Sequence, residues 1–225
     1  MPTSLRHEFV WLASQSPRRR ELLGQIGAAH RLLLPGSDGS GGRDSGVARL
    51  ETLEELEALE AVRPGEDPAA YVQRVTAAKL QAARRRLAAR LGPETPAAPI
   101  LCADTTVALG RRILGKPADA VEAEAMLAAL SGRTHRVLTA VQVWTGRRTL
   151  HALSVSRVRV ARMPESARQA YVAGGEPFGK AGSYAIQGAF AQWISGIEGS
   201  PSGIMGLPLH ETSQLLRAAG VRLSI

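Results

Sequence analysis

Short apolar runs alternate with helical patterns along the whole chain, and this alternation limits the fold more than any other feature of the sequence. Residues Phe9–Ala13 and Ile100–Ala103 have the length and composition of buried strands. The segments 16–27 and 67–91 each begin with a capping residue followed by proline, which is typical of a helix start. No repeat period relates these segments. We therefore predict one α/β domain over residues 1–225, with a mixed, twisted sheet flanked by helices.

The same signals predict the other elements. In chain order these are a strand at His30–Leu34, a hairpin at Val107–Leu114, a helix at Ala120–Leu130 with a capping box from Asp119 and Glu122, antiparallel strands at Arg136–Trp144 and Leu150–Val160, a helix at Pro164–Ala173, a strand at Phe190–Ile194, a loop at Gly199–Gly203, a helix at Pro208–Ala219 and a terminal strand. Residues 35–62 interrupt this series and begin with a segment rich in Gly, Ser and Asp, so we expect an insertion there.

Composition is that of a globular protein from a reducing compartment. Hydrophobic residues make up 44% of the chain, which is ordinary for a folded domain. No run of about 18 apolar residues is present, and the first residues lack the basic-then-apolar order of a secretory signal. Cys102 is the single cysteine, which excludes a disulfide framework. We predict a cytoplasmic protein with no membrane partner.

The net charge of +8 is compatible with nucleic acid, an anionic membrane surface or a small polyanion as partner. Most of the excess is arginine, whose planar guanidinium group suits phosphate oxygens. Aromatic residues are only 4% of the chain, which is few for the stacking surfaces of single-strand binders and argues against nucleic acid. A solvated basic surface with no specific partner remains the simpler alternative.

The first candidate site is the helix start Ser14-Gln15-Ser16-Pro17-Arg18-Arg19. A helix N-terminus offers unpaired N–H groups and the positive end of the helix dipole, so anions bind there readily. Ser16 can cap the helix, and Arg18 and Arg19 add two guanidinium groups suited to a triphosphate. A capped helix with solvated arginines explains the same residues equally well.

The second candidate site is Asp104-Thr105-Thr106, directly after the apolar strand Ile100–Ala103. Ligands of open α/β sheets gather beyond the carboxyl ends of strands, where a carboxylate can hold a divalent cation or orient water. The alternative is an aspartate that caps a turn. The position after a buried strand favours the functional interpretation.

The third candidate site is the glycine-dense segment Phe178–Gly188. Glycines permit close backbone approach to a ligand, Lys180 can contact phosphate, and the Gln187 carboxamide can pair with the edge of a base. A tight network of turns is compatible with the same glycines.

The segment Gly110–Pro117 resembles a P-loop without matching it. A P-loop requires Ser or Thr after its lysine to reach the metal, and here Pro117 occupies that position. We therefore reject the P-loop and retain Lys116 as a candidate phosphate ligand.

Six ordered motifs resemble those of the Maf family. They are Leu12-Ala13-Ser14-Gln15-Ser16-Pro17-Arg18-Arg19-Arg20-Glu21-Leu22-Leu23, Ala103-Asp104-Thr105, Leu114-Gly115-Lys116-Pro117, Leu130-Ser131-Gly132-Arg133-Thr134-His135, Lys180-Ala181-Gly182-Ser183-Tyr184-Ala185-Ile186-Gln187-Gly188 and Met205-Gly206-Leu207-Pro208. The resemblance implies an elongated, two-lobed α/β fold with a central cleft, usually in a homodimer. The implied activity is metal-dependent hydrolysis of nucleoside triphosphates to monophosphate and pyrophosphate. The Lys180–Gly188 motif looks like that of the subgroup acting on dTTP and UTP.

The resemblance also implies roles for individual residues. Asp104 matches the family's proton acceptor, and we expect Mg²⁺ or Mn²⁺ to bind near it. The positions tied to substrate choice correspond to Arg18, Thr105 and Gln187. The other polar positions that line the family's cleft correspond to Ser16, Arg19, Lys79, Lys116 and Lys180.

One departure from the family pattern concerns the acidic residues that follow the second strand. The insertion at 35–62 interrupts this region, and Glu57 and Glu60 are the two candidates for the acid. Two other functions stay open at this point. One is a pyrophosphatase for 7-methyl-GTP or modified purines. The other is a non-enzymatic regulator that binds nucleic acid or controls septation through protein contacts.

Overall fold

The computed structural model describes residues 6–35, 58–90 and 97–224. Its strands are β1 (Val10–Leu12), β2 (His30–Leu32), β3 (Ile100–Leu109), β4 (Arg112–Leu114), β5 (Thr134–Trp144), β6 (Thr149–Val160) and β7 (Ile194–Glu198). Its helices are α1 (Pro17–Gln25), α2 (Pro68–Arg90), α3 (Ala120–Leu130), α4 (Glu165–Ala173), α5 (Pro201–Ile204) and α6 (Leu209–Ala218), with 3₁₀ turns at Ala181–Ser183 and Ala189–Trp193.

The strands form one seven-stranded sheet in the order β2-β1-β3-β5-β6-β7, with β4 also paired to β3. Strand β1 is parallel to both β2 and β3, and the remaining pairs are antiparallel. The predicted α/β fold with a mixed sheet is confirmed. Among the described helices, none is long and apolar enough to cross a membrane.

Strand β3 has two different neighbours along one of its edges. At its start, Ile100 and Leu101 pair with β1, and at its end Val107–Leu109 pair with β4. Strand β5 runs along the whole opposite edge, from Ile100 to Ala108. Within the described residues, positions 102–106 therefore have a strand neighbour on the β5 side only. This open stretch of edge lies between the part of β3 that pairs with β1 and the part that pairs with β4.

Helix α2 covers one face of the sheet on both sides of the open edge. It packs Val72 and Val75 against Leu138 near β4, and Leu80 and Ala83 against the start of β3. Its buried apolar residues recur at helical spacing.

The opposite face carries two separate cores, one at each end of β3. The first joins β1, α1 and α6 to the start of β3 and is centred on buried leucines such as Leu12 and Leu23. The second joins α3 to the end of β3 and includes Leu127, Val158 and Phe190. Because the two cores are distinct, the open edge between them lies in a groove.

The structure corrects several local predictions. Strand β3 does not end at Ala103 but continues to Leu109, since β5 pairs with it throughout. The strand predicted at Phe190–Ile194 is a 3₁₀ turn, because Ala191 N–H donates to Gly188 and Phe190 packs into an aromatic core. The predicted loop at Gly199–Gly203 contains helix α5, which Ser200 caps.

Two further predictions concern the end of the chain and the insertion. The predicted terminal strand reduces to a single bridge between Val221 and His7. Most of the predicted insertion at 35–62 lies outside the described residues, but 58–60 form a helical turn beside α2.

Candidate active site

A cleft of about 560 Å³ opens at the free edge of β3. Nine residues singled out from the sequence line it, namely Ser16, Arg18, Arg19, Lys79, Asp104, Thr105, Lys116, Lys180 and Gln187. They come from the start of α1, from α2, from β3, from the turn after β4 and from the glycine-dense segment. The cationic helix start and the carboxylate of Asp104 thus share one opening.

Asp104 lies in the middle of β3 and not beyond its end, where the sequence had placed it. It pairs with Ala140 of β5, and the residue is almost fully buried at 8% exposure. Asp104 faces the α2 side of the sheet, as its neighbour Cys102 does, whereas Thr105 faces the α1 side. The missing strand neighbour lets side chains from both faces reach the same cleft.

Lys79 of α2 connects two carboxylates in the cleft. Its ammonium group donates to Oδ1 of Asp104 at 2.5 Å and to Oε1 of Glu60 at 2.6 Å. Burial alone would lower the pKa of Lys79, but the two carboxylates outweigh it and raise that pKa above its ordinary value. Lys79 is therefore a cation at neutral pH.

Glu60 belongs to the short turn before α2 and extends across the cleft. Its Oε2 accepts from the ammonium of Lys116 at 3.1 Å, in addition to the contact with Lys79. Burial would raise the pKa of Glu60, yet the two lysines outweigh it and lower that pKa. Of the two acids proposed from the sequence, Glu57 lies outside the described residues and Glu60 lines the cleft.

Residues of α2 hold Glu60 in place through its backbone. The hydroxyl of Tyr71 donates to the Glu60 carbonyl at 2.8 Å. Arg74 donates to the carbonyls of Leu59 and Ala61 on either side, at 3.2 and 2.9 Å. Arg74 is itself fixed by Glu66 at 2.6 Å.

Arg19 ties the helix start to the rest of the cleft. Its Nε donates to the Gly206 carbonyl at 2.8 Å, and its guanidinium nitrogens donate to Ser14 Oγ at 3.2 Å and Thr105 Oγ1 at 3.4 Å. Gly206 has φ +115°, a backbone conformation that favours glycine. The residue that accepts from Arg19 therefore has a backbone that other residues rarely adopt. Burial lowers the pKa of Arg19, although a guanidinium group stays protonated at neutral pH.

Ser16 and Arg18 contribute donors to the same end of the cleft. Ser16 occupies the N-cap position, but its side chain makes no capping hydrogen bond, contrary to the prediction. Instead its backbone N–H donates to Ser14 Oγ at 3.2 Å. The Nε atom of Arg18 is buried without a hydrogen-bond partner among the described residues. A buried donor of this kind is costly unless a ligand pairs with it.

The glycine-dense segment forms the opposite wall of the cleft. Gln187 is exposed there, as a residue that contacts a base would be. The Lys180 ammonium donates to the Glu176 carbonyl at 2.5 Å, so it points toward its own loop and not toward a phosphate position.

Sequence reasoning missed two polar residues of the cleft wall, Tyr71 and Arg86. Arg86 donates to the Leu33 carbonyl at 2.9 Å beside the cleft. A signal was present, because Lys79, Ala82 and Arg86 follow one another at the spacing of a single helical face.

The mixed sheet, together with a cleft that sets arginines and lysines beside two carboxylates, defines an α/β enzyme for a small phosphorylated substrate. Residues 9–219 match the family described as Maf-like protein, and the chain belongs to the Maf family.

Several curated proteins are similar over nearly their whole length. The dTTP/UTP pyrophosphatase of Polaromonas sp. is 57% identical over 216 residues, which are 96% of this chain and 98% of that protein. The dTTP/UTP pyrophosphatase of Ralstonia nicotianae is 55% identical over 223 residues, covering 99% of each chain. The dTTP/UTP pyrophosphatase of Burkholderia pseudomallei is 56% identical over 217 residues, covering 96% of this chain and 95% of that protein.

Proposed function

We propose that this chain hydrolyses dTTP and UTP to the nucleoside monophosphate and pyrophosphate. Membership of the Maf family and the names of relatives that are 53 to 57% identical support this activity. The observation that carries it is the cleft itself, in which Asp104 shares one opening with an arginine-rich helix start. A volume of about 560 Å³ suits a single nucleotide.

Different residues of the cleft have different roles in this reaction. Arg18 and the exposed Lys116 bind the β and γ phosphates, while Arg19 holds the helix start in position. A water oxygen attacks the α-phosphorus, its proton passes to Asp104, and the bond from the α-phosphorus to the bridging oxygen breaks. Lys79 keeps the Asp104 carboxylate oriented through its hydrogen bond to Oδ1.

The carboxylates also fit a divalent cation. Asp104 and Glu60 each accept from the Lys79 ammonium through one oxygen, so the two carboxylates lie close together. No group of three or more potential metal ligands occurs in the described residues. Mg²⁺ commonly binds through one or two carboxylates together with substrate phosphates, which matches this set. We propose Asp104 and Glu60 as its protein ligands, and when bound the ion would neutralise charge on the phosphate oxygens.

Gln187 selects the base in this proposal. Its carboxamide can accept from the imide N–H of thymine or uracil and donate to an adjacent carbonyl. Cytosine reverses donor and acceptor at that edge, so a carboxamide held in one orientation leaves polar groups unpaired against it.

A panel of nucleoside triphosphates, assayed with Mg²⁺ or Mn²⁺, tests the proposed function. We expect pyrophosphate as product, with dTTP and UTP as the best substrates. Orthophosphate as the product would contradict it, as would a preference for 7-methyl-GTP or a modified purine.

We also propose that the protein works in the cytoplasm, as its single cysteine indicates, and as a homodimer, as the resemblance to Maf proteins implies. Light scattering during size-exclusion chromatography should give twice the chain mass of 23.9 kDa. A mass of one chain would contradict the dimer.

A further inference from the structure

Glu176 links the two ends of the loop that carries Gln187. Its Oε1 accepts from the Tyr171 hydroxyl of α4 at 2.8 Å, and its Oε2 accepts from the Ala189 N–H at 3.0 Å. Its backbone carbonyl accepts from Lys180. One side chain therefore joins α4, the loop start and the loop end.

Gly188 packs directly on this carboxylate. A Cβ atom built on Gly188 would lie 2.0 Å from Oε1 of Glu176. The backbone of Gly188 has φ −100°, which any residue adopts, so space and not conformation calls for glycine here. The residue next to Gln187 is therefore in contact with Glu176.

Aromatic rings pack together within and beside the loop that carries Gln187. Phe190 contacts Tyr171 and Tyr184 with ring centroids 5.5 and 4.6 Å apart. Tyr184 also meets His135, whose Nε2 lies 2.7 Å from the tyrosine hydroxyl. The Tyr171 hydroxyl also accepts from the Ala185 N–H at 3.4 Å. The loop thus rests on a packed surface, and Glu176 is the polar group that joins its ends.

We propose that Glu176 is a positioning residue that fixes the loop 176–189 so that Gln187 can distinguish thymine and uracil from cytosine. This inference rests on the proposed function and deepens it. Glu176 acts through hydrogen bonds to Tyr171 and Ala189, and it does not contact the substrate. Its charge is not required, because an amide can accept from the Ala189 N–H and donate to the Tyr171 hydroxyl.

The first test compares Glu176→Ala with Glu176→Gln. The readout is the ratio of kcat/KM for dTTP to that for CTP, with kcat and KM measured separately. We expect Glu176→Ala to lower this ratio about tenfold, mainly through KM for dTTP, and Glu176→Gln to stay within about threefold of wild type. Glu165→Ala is the matched control, since Glu165 lies exposed at the start of α4 and, among the described residues, its side chain bonds to Gln169.

The second test asks whether Glu176 acts through Gln187. In a Gln187→Ala background, Glu176→Ala should change the dTTP to CTP ratio by less than twofold, because the group that it positions is already gone. Gly188→Ala should reproduce the loss seen in Glu176→Ala, since its methyl group displaces the carboxylate. Thermal unfolding of each variant establishes that the chain is folded.

The outcomes separate this inference from the proposed function. Wild-type protein that releases no pyrophosphate from dTTP or UTP would overturn the proposed function. An active wild type with an unchanged ratio in folded Glu176→Ala would overturn the role of Glu176 alone. Equal losses in Glu176→Ala and Glu176→Gln, or additive effects with Gln187→Ala, would also overturn it.

Discussion

The Lys79 ammonium nitrogen lies 2.5 Å from Oδ1 of Asp104, at the one stretch of β3 that has a strand neighbour on a single side among the described residues. The pair joins α2 to the sheet at the centre of the cleft. The strand holds the carboxylate rigidly, because β5 pairs with the residues of β3 that precede and follow Asp104. This arrangement gives the proposed base a fixed position before substrate arrives.

Replacing Asp104 tests its role as the base. Asp104→Asn keeps an oxygen that accepts from Lys79 but cannot take a proton from water. We expect kcat for dTTP to fall by roughly 10²–10⁴-fold with thermal stability nearly unchanged. Asp119→Asn is the control, because it changes the N-cap of α3 to an equally good capping residue outside the cleft. A near wild-type rate in Asp104→Asn would remove Asp104 from this role.

Replacing Gln187 tests base selection. Gln187→Ala should lower the dTTP to CTP ratio of kcat/KM by roughly 5- to 100-fold, because an unpaired polar group costs about 1–3 kcal/mol. Steady-state kinetics with both nucleotides measures the ratio. If it stays at the wild-type value, another residue reads the base.

Replacing Gly206 tests the link between Arg19 and the loop before α6. An alanine at φ +115° is strained by about 1–3 kcal/mol, and relaxation would move the carbonyl that accepts from Arg19. We expect Gly206→Ala to lower the free energy of unfolding in urea by that amount and to raise KM for dTTP. Gly24→Ala is the control, since Gly24 lies inside α1 with no atom within 4 Å of a new Cβ. Gly24→Ala should gain roughly 0.5–1 kcal/mol, and equal effects of the two changes would contradict this account.

His135 should make stability depend on pH. Burial lowers its pKa from 6.5 to about 4. Between these values the unfolded chain binds more protons than the folded one, so stability falls as pH falls from 6.5 towards 4. The full effect, below pH 4, is roughly 3 kcal/mol. Urea unfolding of wild type and His135→Phe at several pH values measures it. The wild-type curve should be steeper over this range, and identical slopes would exclude His135 as the cause.

Much of the architecture could be predicted because its signals are local. The capping box at Asp119 and Glu122 and the alternation along β5 and β6 depend on neighbouring residues only. The course of β3 through Asp104 was not predictable, since a change from apolar to polar residues also marks the end of a strand. Its continuation depends on β5, which is distant in sequence.

The candidate site shows the same division. Motif resemblance selected residues that all line one cleft. It could not choose between Glu57 and Glu60, because the place of Glu60 depends on backbone hydrogen bonds from Tyr71 and Arg74 of α2. Glu176 carried no signal at all, since its partners Tyr171 and Ala189 are brought to it by the folded loop.

The most direct test of the central claim is hydrolysis of dTTP in ¹⁸O-labelled water, with mass spectrometry of both products. Attack by water on the α-phosphorus places the label in dTMP and leaves pyrophosphate unlabelled, which is the result that we predict. Label in the pyrophosphate, or release of orthophosphate, would show attack at another phosphorus and contradict the account.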